Sequence, residues 1–349
     1  MPQRLIVVSP GNSASERFSH TLETALREVP FEFKPMLDAP LKNKRILFAV
    51  SLNESGVNHG YYDLLAFLRT HADCLKDCVG SVLVDGPGNL YTKSVGRDLV
   101  LAASLAGCTF PGRPLVEATG DLKNFTVQAK NANCDLLSAY HLAAADLVNR
   151  VLMFESPRSS RPNILVLHAS SRSTSNTLAL WSRVRAELES CCDITEIGLR
   201  NGTLEDCAGC PYTTCLHFGE QGECFYGGVM VQEVYPAIRE ADAVVLLCPN
   251  YNDALSANLT AAINRLTALY RTTPFNDKAV FAMVVSGYSG GDIVASQVVS
   301  ALNMNKGFWL PADFCLLETA NDVGTAIRLP GIEERLHAYA HHMLSHLLA

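Results

Sequence analysis

No run of apolar residues in this chain approaches the ~18 that a membrane-spanning helix needs. The opening Met1-Pro2-Gln3-Arg4 leads into a short apolar run, Leu5 to Val8, which Pro10 and Gly11 break at once. That run is too short for the apolar segment of a secretory signal. A basic surplus is also missing. Lys and Arg number 28 against 35 Asp and Glu, a formal net charge of -7, which gives no electrostatic footprint for nucleic acid or an anionic membrane. Charged residues are sparse, at 18% beside 48% hydrophobic, so the composition argues against wholesale disorder and supplies a large core. No Ser/His/Asp arrangement, Walker loop or zinc-protease helix occurs. The expectation is a cytoplasmic protein with neither nucleic acid nor membrane as partner.

Length is the first positive signal. At 349 residues the chain exceeds the ~250–300 at which single cores stop growing. The seam is Glu155 to Pro162, a polar stretch with two prolines between apolar regions, and it reads as a linker. The expected organisation is therefore residues 1–155, a linker at 156–162, and residues 163–349.

Beyond the seam, strand and helix alternate. Strands are expected at 163–168, 193–197, 243–248, 279–286 and 314–318, and helices at 175–190, 231–240, 256–271, 292–305 and 332–348. Leu178, Trp181, Val184 and Leu188 share one helix face. Five strands alternating with helices imply an α/β domain with a parallel sheet covered on both faces, doubly wound by right-handed crossovers. The first half is blurred, with strands expected at 4–9, 45–50 and 81–85 and a helix at 98–106. Its Gly86, Gly107 and Glu117 are spaced much as Gly287, Gly307 and Glu318 are, and Leu115-Val116-Glu117 parallels Leu316-Leu317-Glu318. Two tandem copies of one fold are the expectation.

The strand at 163–168 is followed by Ala169-Ser170-Ser171-Arg172-Ser173-Thr174-Ser175-Asn176-Thr177 and then a helix. Small hydroxyl side chains, Arg172 and the free N–H groups of a helix start suit a phosphate. The same residues also suit an ordinary helix cap. Pro249-Asn250-Tyr251 follows the third strand of this half, and Ser286-Gly287-Tyr288-Ser289-Gly290-Gly291 follows the fourth. Ligands of open α/β sheets gather at the carboxyl ends of strands. Glycines there let backbone approach a flat ligand.

Twelve cysteines are many. Cys74, Cys78, Cys108, Cys134, Cys191, Cys192, Cys248 and Cys315 are scattered and read as buried small hydrophobes. Cys207, Cys210, Cys215 and Cys224 lie in one glycine-containing loop. Four thiolates so grouped suit a [4Fe–4S] cluster or zinc, or stay reduced thiols without metal. His337, His341, His342 and His346 lie four apart in pairs on the last helix, a pattern more typical of a solvated face than of a metal site.

The three loops resemble those of the NADPH-dependent FMN reductase and iron–sulfur flavoprotein branch of the flavodoxin-like superfamily. Ala169 and Ser171 stand where that family has Gly and Pro. The resemblance covers about Asn163 to Glu318 and implies a five-stranded sheet of order 2-1-3-4-5 in each copy. It implies FMN held by Ser170, Arg172, Ser175, Asn176, Thr177, Pro249, Asn250, Tyr251, Ser286, Gly287, Tyr288, Gly290 and Gly291. It places the four-cysteine loop where iron–sulfur flavoproteins carry a cluster, although the gaps here are longer. The implied activity is an FMN-dependent oxidoreductase that takes electrons from NAD(P)H and passes them to a small-molecule acceptor, an iron–sulfur cluster or a redox protein. A non-catalytic electron carrier and a scaffold that has lost flavin are the alternatives. Because the family is commonly dimeric, the first half is expected as a degenerate, flavin-free partner fused in tandem, giving a monomeric pseudo-dimer or a homodimer.

Overall fold

The computed structural model describes residues 4–11, 14–170 and 174–349. Ser171, Arg172 and Ser173 of the phosphate-loop reading, and also Asn12 and Ser13, lie outside the described residues. The chain divides into two compact units, Met1–Glu155 and Ser156–Ala349.

In the first unit the order is β1 (Leu5–Val8), α1 (Glu16–Leu26), β2 (Phe31–Lys34), β3 (Arg45–Ser51), α2 (His59–Thr70), β4 (Cys78–Asp85), α3 (Thr92–Leu105), β5 (Cys108–Thr109), β6 (Leu115–Ala118), α4 (Thr126–Ala132) and α5 (Leu136–Met153). All strands pair in parallel, in the order β2-β1-β3-β4-β5, and β6 also pairs with β4. The second unit runs β7 (Asn163–His168), α6 (Asn176–Leu188), β8 (Asp193–Gly198), α7 (Tyr212–Glu220), α8 (Tyr235–Glu240), β9 (Ala243–Pro249), α9 (Ala257–Leu269), β10 (Ala279–Ser286), α10 (Gly291–Val298), β11 (Cys315–Thr319) and α11 (Ile332–Leu347). Its sheet is β11-β10-β9-β7-β8, which is the flavodoxin-like order 2-1-3-4-5 read from the other edge. Both sheets are the doubly wound α/β architecture the sequence implied.

The strand register makes the likeness of the two sheets specific. Leu5 pairs with Phe31 and Arg45, and Arg45 pairs with Val79. Ile164 pairs with Ile194 and Ala243, and Ala243 pairs with Ala279. Val79 pairs with Thr109 as Ala279 bridges Trp309, and Val82 pairs with Leu115 as Ala282 pairs with Cys315. The fifth strand is interrupted at the same point in both. Gly107 and Gly307 both end a helix in the left-handed region, at φ 98° and 87°, where glycine is at ease. The equivalence corrects two of the three sequence anchors. Val82 N–H donates to Pro114 O as Ala282 N–H donates to Phe314 O, so Gly86 matches Ser286 and Glu117 matches Leu317. A one-residue slip would turn every side chain to the other face.

Burial explains the elements. All eight residues of β10 are buried, whereas the first four positions of β8 alternate between exposed and half-buried as an edge strand does, and only Ile197 is buried. Leu178, Trp181, Val184 and Leu188 of α6 are buried. In the first unit α1 and α5 cover one face, with Phe18, Tyr140, Leu147 and Val151 in the core. The scattered Cys74, Cys78, Cys108, Cys192, Cys248 and Cys315 are buried, and all twelve cysteines are free. Burial pushes the Cys78 thiol up to about 11, as expected of an inert packing residue. Among the described residues no helix is long and apolar enough to cross a membrane.

The last helix carries a pH-sensitive packing contact. His346 packs edge-on against Trp309, with ring centroids 6.0 Å apart. Burial first, then the nearby His342 and Arg158, lower its pKa to about 3. The folded state therefore holds it neutral, while the unfolded chain protonates it near ~6.5. Its contribution is whole above that value and is lost as the pH falls from ~6.5 toward 3. At pH 5 the cost is about 1–2 kcal/mol, discounted for the side chain's partial exposure. The midpoint of thermal unfolding of the second unit is expected to drop between pH 7 and 5, and His346→Phe should flatten that part of the profile. An identical profile in the variant would refute the assignment.

Candidate active site at the carboxyl ends of the second sheet

The first loop begins where β7 ends. Ser170 N–H donates to His168 Nδ1 at 3.3 Å, and His168 is buried with its Nε2 3.5 Å from Glu196 Oε1. Glu196 also pairs with Arg185 of α6, at 3.3 Å. This chain of contacts fixes the start of the loop to β8 and to the following helix. Ser175 caps α6, accepting from Leu178 N–H at 3.2 Å. The other N–H groups of the first turn have no partner within the helix. Thr177 is buried just inside the helix.

Asn176 has a different partner from the one the sequence suggested. Its amide nitrogen donates to Ala320 O and Asp322 O at 3.2 and 2.9 Å, and its oxygen accepts from Gly324 N–H at 2.9 Å. Both ends of the amide are thus spent on the loop after β11, and the residue sets that loop against the start of α6.

The second and third loops are tied together by Asn250. Its backbone N–H continues the sheet by donating to Val285 O at 2.9 Å. Its side-chain amide donates to Ser286 Oγ at 3.1 Å, Ser289 O at 2.9 Å and Asp253 Oδ1 at 3.2 Å. Gln297 of α10 adds a clamp, donating to Asp253 O and accepting from Leu255 N–H, each at 2.9 Å. The turn at Asn252 and Asp253 is left-handed, with φ 55° and 56°, a conformation Asn and Asp tolerate best after glycine. Gly290 has φ 82°, and a Cβ there would fall on the Asp253 carboxylate and 3.0 Å from the Asn250 amide nitrogen. Glycine is required where these loops meet. Gly287 is less constrained, since a Cβ would meet only the tip of the Asn321 side chain, at 2.9 Å.

Two polar atoms at these strand ends are buried without a hydrogen-bond partner among the described residues: Ser170 Oγ and Asn250 Oδ1. Such groups are rare and costly unless something outside the chain completes them. Two large aromatic rings stand exposed on the same loops, Tyr251 at 60% and Tyr288 at 81%. A cavity of about 490 Å³ adjoins the first loop, lined by His168, Ser170, Glu196, Leu199 and Arg200 among others. Unpaired acceptors or donors beside a helix start, a glycine-bound loop junction and exposed rings fit a phosphate-bearing aromatic cofactor, so the donor set fits FMN. Of the residues named from sequence, Ser170, Ser175 and Thr177 cluster at the first loop. Asn250 and Ser286 are hydrogen-bonded across the other two loops, which also carry Pro249, Tyr251, Gly287, Tyr288, Gly290 and Gly291.

The grouped cysteines lie elsewhere in this unit, and part of their segment is helical rather than loop. Pro211 caps the start of α7, and Cys215 sits inside the helix. Proline is well suited to a helix start because its missing N–H is one the helix leaves unpaired anyway. Cys207, Cys210, Cys215 and Cys224 all line one cavity of about 300 Å³, with Phe218, Phe225 and Tyr226. Arg271 lies over Tyr212, 4.8 Å from the ring centre, and its guanidinium donates to Cys215 Sγ at 3.6 Å. Among the described residues, the set of three metal-ligating groups with ligand atoms within 4.8 Å of one another contains no cysteine. The thiols share a wall without converging on a single ion.

The first unit builds the same region differently. Ser15 caps α1 as Ser175 caps α6. Arg17 then stands at the place of Thr177. Its guanidinium donates to both oxygens of buried Asp85, at 3.0 and 2.9 Å, and to Gly86 O, Thr119 O and Gly120 O. Sequence reading missed this pair, although Asp85 stands at the end of an expected strand.

The sequence matches no curated protein. Several solved structures align with about half of the chain. An NAD(P)H:quinone oxidoreductase from Methanothermobacter marburgensis is 15% identical over 53% of this chain and 97% of its own, with TM-score 0.40. An FMN-dependent NADH-azoreductase from Bacillus anthracis is 10% identical over 52% and 99%, with TM-score 0.38. A flavodoxin, WrbA-like protein from Agrobacterium tumefaciens is 13% identical over 53% and 99%, with TM-score 0.35. Likenesses this weak carry no functional weight. The family model is more specific, and the resemblance read from the three loops holds in it: residues 162–322 match the family described as NADPH-dependent FMN reductase.

Proposed function

We propose that the second unit binds FMN across the carboxyl ends of β7, β9 and β10 and passes electrons from NAD(P)H to a small-molecule acceptor. The observation that carries this is the bonded junction of Asn250, Ser286 and Gly290, with Ser170 Oγ and Asn250 Oδ1 left unpaired beside it. Bound FMN would supply the ability to take a hydride from a nicotinamide and give up two electrons to an acceptor. The chain's part is to bind and orient. Ser170, Ser175, Thr177 and the first turn of α6 would hold the phosphate, where the helix dipole favours an anion. Asn176 positions the 320–324 loop. Asn250 and Ser286 offer polar atoms to the ring edge, and Gly287, Gly290 and Gly291 keep the approach free of side chains. Tyr251 and Tyr288 offer aromatic faces to the ring or to a flat acceptor.

A second reading of the same unit concerns the cysteine cavity. Four thiols on one aromatic-lined wall, with Arg271 beside Cys215, suit a one-electron relay through a [4Fe–4S] cluster. One experiment separates the readings. The full chain is prepared anaerobically, assayed for flavin, iron and sulfide, and titrated with NADPH and with NADH. Stoichiometric FMN that bleaches on adding either nucleotide is the expected result. Bleaching only by an added partner reductase would replace the enzyme with an electron carrier, and failure to retain FMN would leave a scaffold. Iron and sulfide at four per chain would add the relay; flavin without iron would remove it.

A further inference from the structure

The opposite side of α6 from its candidate phosphate end carries a second cluster. Glu187 lies in the last turn of α6, and His337 and His341 lie four apart on α11. One ligand atom from each comes within 4.8 Å of the other two. His337 Nδ1 is 2.8 Å from Glu187 Oε2, and the rings of His337 and His341 are 4.3 Å apart at 64°. The backbones beneath are fixed by the core: Leu188 of α6 and Leu336, Ala340 and Met343 of α11 are buried. His342 and His346 face other partners, the Ala312 carbonyl and Trp309, so only one of the two histidine pairs is available.

We propose that Glu187, His337 and His341 form a site for a first-row divalent cation, with Zn²⁺ as its best fit. Two imidazoles and one carboxylate are a borderline nitrogen and oxygen set, which suits zinc, nickel, cobalt or copper rather than magnesium or calcium. Histidines four apart on a helix point the same way and can share an ion. Zinc bonds of about 2.0–2.2 Å need ligand atoms somewhat closer than 4.8 Å, a change that exposed side chains reach by rotation alone. Three protein ligands leave a fourth position for water. The ion would pin the end of α6 to α11.

The test uses the full chain, reduced and stripped of metal, with Zn²⁺ as probe. Equilibrium dialysis compares the wild type with Glu187→Gln, His337→Ala and His341→Ala. Glu334→Gln, an exposed carboxylate on α11 outside the cluster, serves as control. Zinc taken up by the cysteine cavity is common to all five proteins and cancels in the comparison. The expected result is one zinc fewer, or at least tenfold weaker binding, in each of the three variants and no change in the control. Zinc should also raise the unfolding midpoint of the wild type more than that of His341→Ala. Equal zinc content in all five proteins would overturn the proposal, as would a loss in Glu334→Gln equal to the others.

Discussion

Arg17→Met is expected to loosen the first unit while the second stays folded. Asp85 is 2% exposed at its side chain and Arg17 is 23% exposed. Removing the guanidinium leaves a buried carboxylate held by Ser15 Oγ, at 3.4 Å, with the Tyr140 hydroxyl beside it. Four further bonds, to the carbonyls of Gly86, Thr119 and Gly120 and to the second carboxylate oxygen, vanish with it. Breaking one side of a buried pair costs about 3–5 kcal/mol, and the water that reaches Arg17 lowers the expectation to ~2–4 kcal/mol. Such a loss is a large part of the 5–15 kcal/mol that typically holds a domain together. Hydrogen exchange read peptide by peptide should show protection falling in β1 and β4 but not in β7 or β10. Adding Asp85→Leu to the variant should recover part of the loss, because the uncompensated charge goes with it. Unchanged protection in the first unit of Arg17→Met would show that the pair is ornamental.

Gly290→Val is expected to abolish tight FMN binding with little effect on the rest of the fold. A left-handed backbone costs a β-branched residue at least about 1–2 kcal/mol. The larger effect is the collision of the new Cβ with Asp253 and with the Asn250 amide. Either the 249–253 turn or the 286–290 loop must move, and Asn250 loses the bonds that join them. A hundredfold weaker Kd corresponds to about 2.7 kcal/mol, which the strain and one lost bonding partner together supply. Quenching of FMN fluorescence measures it directly. Gly287→Ala is the milder comparison, since the Asn321 side chain it would meet can rotate away. A Kd for Gly290→Val within twofold of wild type would place the flavin elsewhere.

Much of the second unit was legible in the sequence. Its strands are short apolar runs bounded by polar turns, and each expected strand lies within a residue or so of the observed one. Three loops at strand ends were also readable, because their residue types are those a phosphate and a flat ring need. The first unit was harder for identifiable reasons. Gly96 stands inside α3 and hid its first two turns; it is there because a Cβ would lie 2.6 Å from Leu115 of β6. The exposed, alternating edge strand β2 has too little apolar content to announce itself, and α2 and α5 were passed over despite a helical spacing of buried residues. The role of Asn176 could not be read, because its partners lie some 144–148 positions away. The helix within the cysteine segment was masked by glycines on both sides. The slip in the duplication anchors has the same origin: glycine spacing fixes a period only to within a residue, whereas hydrogen-bond parity fixes it without ambiguity.

The matched register of the two sheets makes this chain its own control. Rung for rung, β3 ends level with β9, and β1 and β4 end one residue short of β7 and β10, so loops leave the two frames from nearly equivalent positions. A segment such as Asn250–Asp253 can replace the residues that follow Ser51 without re-registering any strand. Grafting the three loops of the second unit onto the first, with Arg17 exchanged for the threonine of its counterpart, would then separate what the scaffold contributes from what the loops contribute. The molecule holds two versions of one frame that differ in their loops, and chimaeras between them are the natural units of experiment.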